Sequence, residues 1–118
     1  MFPKLNRLKK KKDFEQVFKR GQLFKKDFLI VKIIFNNLKN NRFGFIISSK
    51  VSKKAVLRNK IKRWLAVAIL EQLKKYNKTI KAVDMIFIIK AGTKIKNLQE
   101  VKTTINKIFQ KIKYGIFN

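Results

Sequence analysis

The sequence has no histidine and no cysteine, and among its 118 residues there are one proline, four glycines and six acids. Each shortage removes a class of chemistry. Without cysteine there is no disulfide framework, no thiolate nucleophile and no sulfur-ligated zinc or iron–sulfur site; without histidine the usual general base and metal ligand is gone. Triad and zinc hydrolysis are excluded. The acids Asp13, Glu15, Asp27, Glu71, Asp84 and Glu100 are scattered singly, apart from Asp13 and Glu15, which fall on different faces of a helix. Such a pattern does not suggest a two-metal carboxylate site, so no catalytic residue, metal ligand or bound cofactor is expected. Long apolar runs are lacking too, since nothing approaches the roughly 20 residues of a membrane span. The basic start, Met1 to Lys12, leads into a mixed Phe/Lys/Asp/Glu segment rather than the apolar stretch of a signal peptide. The expectation is a cytoplasmic protein with no membrane partner and no small-molecule substrate.

What the chain does have is 31 Lys and Arg, for a formal charge of +25, beside 46% hydrophobic residues. The apolar fraction is enough for a real core, and the length suits one domain, taken as residues 1–118. Charge of one sign opposes compaction unless an anionic partner is near, which means nucleic acid or anionic lipid. A compositional bias toward Lys, Ile, Asn and Phe explains Lys in place of Arg. It does not explain why acids are so few, and nucleic acid is the favoured partner.

Periodicity places the elements. Phe14, Val17 and Phe18 recur at helical spacing between Lys12 and Gly21, with Asp13 as N-cap and Gly21 as stop. Leu23 to Phe35 is dense and β-branched, a strand covered on both faces. The Asn-rich turn Asn36 to Asn41 then leads to a second strand, Phe43 to Ile47, so that the two form a hairpin. Ser52 caps a long helix over Lys53 to Tyr76, whose Leu57, Ile61, Trp64, Leu65, Ala68 and Ile69 share one apolar sector. Asn77 to Lys81 is a break, Ala82 to Ile89 a buried strand, Ala91 to Thr93 a turn, and Asn97 to about Tyr114 a last helix. The fold class is α+β, a single-domain sandwich in the order α-β-β(-β)-α-β-α.

One segment breaks a local rule. Lys50, Lys53, Lys54, Arg58, Lys60, Lys62 and Arg63 fall in or just before the first three turns of the long helix, with no acid until Glu71. A helix N-terminus carries partial positive charge, so each such cation costs about 0.3–1 kcal/mol at low salt. Phosphates would offset that cost, drawn by the dipole, the exposed N–H groups and the side chains together. A merely solvated face is the plain alternative, but it gives no reason for a single sign at the unfavourable end. Anionic lipid fits less well, because the apolar side of this helix is committed to the core. Phe14 and Phe18, four residues apart, read either as core residues or as platforms for unpaired bases.

The run Ala55-Val56-Leu57-Arg58-Asn59-Lys60-Ile61-Lys62-Arg63 resembles the RNR signature of the bacterial ribonuclease P protein component. Arg7-Leu8, Asp13-Phe14, Val17-Phe18, Arg20-Gly21, Phe43-Gly44-Phe45 and Ser48-Ser49-Lys50 follow in the family's order. The resemblance implies the family's α–β sandwich with a left-handed βαβ crossover. It also implies the protein subunit of a ribonucleoprotein endonuclease that removes the 5′ leader of precursor tRNA, with Mg²⁺ required by the RNA subunit, which carries the active site. The partners implied are the ribonuclease P catalytic RNA and precursor tRNA. Lys50, Lys53, Lys54, Arg58, Asn59, Lys60, Lys62 and Arg63 carry over to the catalytic-RNA surface, and Phe14 and Phe18 to the leader cleft. Val31 stands where the family often has a cleft aromatic, with Phe35 as its substitute. The sequence departs from the family at Ser49, where a Lys is usual, and at Ala66-Val67, where Arg-Glu is common. A non-enzymatic RNA-binding protein, ribosomal protein-like or an RNA chaperone, is the competing reading of the same charge.

Overall fold

The computed structural model describes residues 6–76 and 81–113. Its elements are α1 (Lys11–Arg20), β1 (Gln22–Lys26), β2 (Leu29–Phe35), β3 (Arg42–Ile46), α2 (Ala55–Tyr76), β4 (Val83–Ile89) and α3 (Leu98–Ile112). The element order is the expected one, and the strand pairing corrects the expectation in two places. The segment from Leu23 to Phe35 is two strands, not one. Asp27, in the left-handed region at φ 52°, turns the chain so that Lys26 pairs with Leu29 in a tight β1–β2 hairpin. Nor do β2 and β3 form a hairpin, because β4 lies between them in the order β1-β2-β4-β3. The Asn cluster does turn, with Asn37 at φ 58° and the Asn36 side chain accepting from Leu38 N at 2.8 Å.

Burial explains why β4 takes the middle. It is covered on both faces, and only Ile88 among its seven residues is not buried. A strand of that kind needs neighbours and layers on every side. It pairs antiparallel with β2 and parallel with β3, so β3, α2 and β4 form a crossover unit. The shorter β3 carries Gly44 and takes the edge, where Leu8 N–H donates to Phe43 O at 2.9 Å.

The larger core lies between one sheet face and the pair α2 and α3. Leu29, Val31, Ile33, Met85, Phe87 and Ile89 meet Ile61, Leu65, Ile69, Ile105, Ile108 and Phe109 there. Asn97 caps α3 by accepting from Glu100 N at 2.9 Å, and the Glu100 carboxylate accepts from Lys96 N. The expected end of α3 at Tyr114 and most of the break after α2 lie outside the described residues. The other face carries α1 on a smaller cluster of Leu8, Val17 and Ile86.

Asp13 is not the N-cap of α1. It lies inside the first turn, and its carboxylate accepts from Arg42 Nη1 at 3.1 Å. Gly21 closes the helix through its N–H to Val17 O at 2.7 Å with φ −70°, and a side chain there would collide with that carbonyl oxygen.

Candidate nucleic-acid interface

Two surfaces hold the sequence-predicted residues. The first is the N-terminal half of α2. The helix begins at Ala55, two residues later than expected, and Ser52 Oγ accepts from Lys54 N at 3.3 Å ahead of it. There is no acid in the first turn. Lys53, Lys54, Asn59, Lys60 and Arg63 are exposed, whereas Arg58 and Lys62 are half-buried at the border of the packed face. Arg58 is committed in part: its Nη1 donates to Ser52 O at 2.7 Å, tying the approach loop to the helix. Lys50 is exposed, and its carbonyl accepts from Gly92 N at 3.3 Å. Main-chain bonds thus hold the loop ahead of α2, while most of the cations face water.

The second surface is the sheet face under α1, and cross-strand register describes it as three rows. Ile34, Asp84 and Arg42 form the first; Leu23, Lys32, Ile86 and Gly44 the second; Lys25, Ile30, Ile88 and Ile46 the third. Around the first two rows α1 makes its anchoring contacts. Asp84 and Asp13, 71 positions apart in the chain, share Arg42, which meets Asp84 through Nε at 2.8 Å and Nη2 at 2.6 Å. The Asp84 hydrogen bond raises the Arg42 pKa above its ordinary value, and the charges of Asp84 and Asp13 reinforce it against the opposing effect of burial.

The third row stays half-covered, an apolar floor of Ile30, Ile88 and Ile46. Phe18 of α1, with 38% of its surface exposed, stands beside Lys32 of the second row. Lys32 Nζ lies 5.3 Å from the Phe18 ring centroid and donates to Phe18 O at 3.0 Å. An apolar floor, an exposed ring and flanking ammonium groups can stack unpaired bases and hold their phosphates.

Phe14 is packed more deeply. A Cβ on Gly44 would stand 2.6 Å from Phe14 Cζ and 2.8 Å from Cε1, so the ring needs a glycine beneath it. Gly44→Ala should therefore destabilise the protein by about 1–2 kcal/mol in urea unfolding, as overpacking does. In a Phe14→Ala background most of that loss should disappear, because the atoms that collide are gone. An undiminished loss would mean that Gly44 serves its own backbone and not Phe14.

The structure joins the two surfaces at the β3 edge. Phe14 from α1 and Lys62 from α2 line one depression with Arg7, Lys9 and Gly44. It also corrects two cleft residues. Val31 is fully buried in the core against α2 and α3, on the opposite sheet face from α1. Phe35 is 43% exposed, but it shares Val31's side of β2 and lies beside Leu38 and Ala82 at the strand's end. Neither reaches the α1 face. Sequence reading missed Ile30, Ile88, Ile46 and Lys32, although Lys32 was the available signal. A lysine inside an apolar strand marks the side nearer to water, which assigns even positions of β2 to the open face and odd ones to the core.

Known proteins resemble the chain in both sequence and fold. The Ribonuclease P family model matches residues 2–113. A ribonuclease P protein component from a Pseudanabaena species is 34% identical over 114 residues, covering 96% of both chains. The solved RNase P protein of Staphylococcus aureus superposes with a TM-score of 0.76 at 31% identity, over 96% of this chain and 98% of that one. The RNase P protein from Thermotoga maritima shares the fold, with a TM-score of 0.72 at 23% identity over 90% of this chain and 96% of that one. By sequence along almost its whole length and by fold, the chain belongs to the ribonuclease P protein family.

Proposed function

We infer that the chain is the protein subunit of a ribonuclease P holoenzyme, in which it binds the catalytic RNA and the single-stranded 5′ leader of precursor tRNA and promotes leader removal. The observation that carries this reading is the pairing of the acid-free basic start of α2 with an aromatic, cation-flanked sheet face on its other side. The α2 cations would hold the structured RNA, and the Phe18 face would take the leader. Hydrolysis with Mg²⁺ is assigned to the RNA subunit. The chain's acids support that division: Asp13 and Asp84 are bound to Arg42, and Glu71 to Lys102 at 3.0 Å. Among the described residues no group of three acids converges, and no helix is long and apolar enough to cross a membrane. A cytoplasmic setting, where precursor tRNA is found in bacteria, belongs to the same proposal.

The test is leader removal by a bacterial ribonuclease P RNA at low Mg²⁺, with and without the chain. Correct 5′ cleavage should rise; no gain would favour a plain RNA-binding protein. Phe18→Ala then probes the cleft. Phe18 is partly exposed, so the protein should lose some stability but stay folded, while the preference for leader-bearing over leaderless tRNA should fall by about tenfold, the effect of losing one stacked base. Equal weakening toward both substrates would move the leader elsewhere.

A further inference from the structure

A third surface lies beyond the α1 face, where the first turns of α2 meet the loop leading to α3. Leu57 and Trp64 of α2 face Ile95 of the loop across a slot of about 290 Å³. That is the small end of the range for ligand pockets, suited to one planar ring system. Lys60, Lys94 and Lys96 line it as well, and no acidic side chain does.

Main-chain hydrogen bonds hold the loop side of the slot. Gly92 N–H donates to Lys50 O at 3.3 Å and Thr93 N–H to Lys90 O at 3.3 Å, and the Glu100 carboxylate holds Lys96 N at 2.9 Å. The loop wall is therefore fixed from both ends. Leu57 lies four residues before the buried Ile61, on the stripe that periodicity assigns to the core, yet it is 43% exposed. Part of its apolar surface lines the slot. Lys60 Nζ is 5.1 Å from the Trp64 ring centroid, a cation–π contact made by an exposed side chain.

The chemistry selects an occupant. A lone phosphate would use the lysines and leave the apolar walls wet, whereas an apolar peptide would gain nothing from three ammonium groups. A nucleotide with an unpaired base uses both, since the ring meets indole and aliphatic walls while the attached phosphates meet the cations. We propose that the slot between Trp64, Leu57 and Ile95 takes one unpaired base of the bound RNA, with Lys60, Lys94 and Lys96 on its flanking phosphates. The proposal rests on the RNA-binding reading above and gives Lys60 a position at the junction of slot and helix surface.

Trp64 is the only tryptophan in the sequence, so fluorescence excited selectively at tryptophan reports on the slot. The full chain is titrated with a single-stranded hexauridylate and with an abasic ribose-phosphate oligomer of the same length. Hexauridylate should quench Trp64, and the abasic oligomer should not. Leu57→Glu is then compared with Val56→Glu, the same charge change at a neighbouring position that is 75% exposed and does not line the slot. Leu57→Glu should weaken the quenching interaction by about tenfold or more, the scale of a lost base stack, and Val56→Glu by only a few-fold. Lys94→Ala combined with Lys96→Ala, both exposed, should weaken it as well with the fold unchanged by circular dichroism. Equal quenching by the two oligomers, no quenching by either, or equal losses in the two glutamate variants would overturn the slot. Stimulated leader removal is scored separately: a chain that stimulates cleavage but fails the fluorescence test refutes the slot alone, and one that does not stimulate cleavage refutes the functional reading.

Discussion

Replacing Lys53, Lys54 and Arg63 together by Ala should cut affinity for ribonuclease P RNA about a hundredfold at 0.1 M salt, while leaving the free protein as stable as before or slightly more so. The loss follows from counterion release. Each phosphate contact contributes up to about 0.9 to the log–log salt slope on a duplex, so three lost contacts should flatten it by up to about 2.7. All three side chains are exposed. Arg58 is left out because its guanidinium also holds Ser52 O, and its removal would mix loss of RNA contact with loosening of the loop. The stability half follows from the dipole, because cations at a helix start are unfavourable by about 0.3–1 kcal/mol each at low salt and Lys53 and Lys54 stand there. Filter binding across a salt series and thermal unfolding read the two halves. A solvated face with no partner would give an unchanged slope, and a structural role would lower the melting temperature; either result excludes the RNA surface.

Local rules made the helices legible, and the sheet less so. The spacing of Val101, Ile105, Ile108 and Ile112 marks α3, with Asn97 and Glu100 supplying its start; the packed stripe of α2 is likewise written in Ile61, Leu65, Ala68 and Ile69. Strand pairing depends on partners remote in sequence. Nearness along the chain suggested that β2 and β3 pair, but β4, joined to β3 through the whole of α2, fits between them because both its faces demand cover. The candidate site was legible where charge broke a helix rule, at Lys53 to Arg63. It was misread where one residue of parity decides the face. Carrying an aromatic's place over to Val31 assigned the cleft to the core side of β2, while Lys32 marked the open side. Trp64, counted with the core, is only half-buried and walls the slot.

Arg42→Ala should destabilise the fold by about 3 kcal/mol, because it breaks an ion pair from one side and strands the buried Asp84 carboxylate. Arg42 spans three elements: it extends from β3, makes two bonds to the buried Asp84 of β4, and reaches Asp13 of α1. Its loss leaves the Asp84 carboxylate in a low-dielectric site with Asn36 Nδ2, at 2.9 Å, as its remaining partner. For a domain of this size the melting temperature should fall by roughly 10 °C. Adding Asp84→Asn removes the stranded charge and should recover part of the loss, which a packing defect would not allow. The pH dependence has a definite sign. A guanidinium whose pKa is raised in the folded state stabilises below its unfolded value and loses that contribution only as pH climbs through the folded one. Both lie beyond the working range, so the deficit should be equal at pH 6 and pH 9; a deficit that changed between them would implicate another group. Because Asp13 is the ion-pair tie from α1 to the sheet among the described residues, the same variant should release Phe14 and Phe18 from their places. Leader preference should then fall at temperatures where the protein is still folded, while the salt slope for ribonuclease P RNA, set by α2, stays as it was. If both fell together, the cleft and the basic helix would be one coupled surface rather than two.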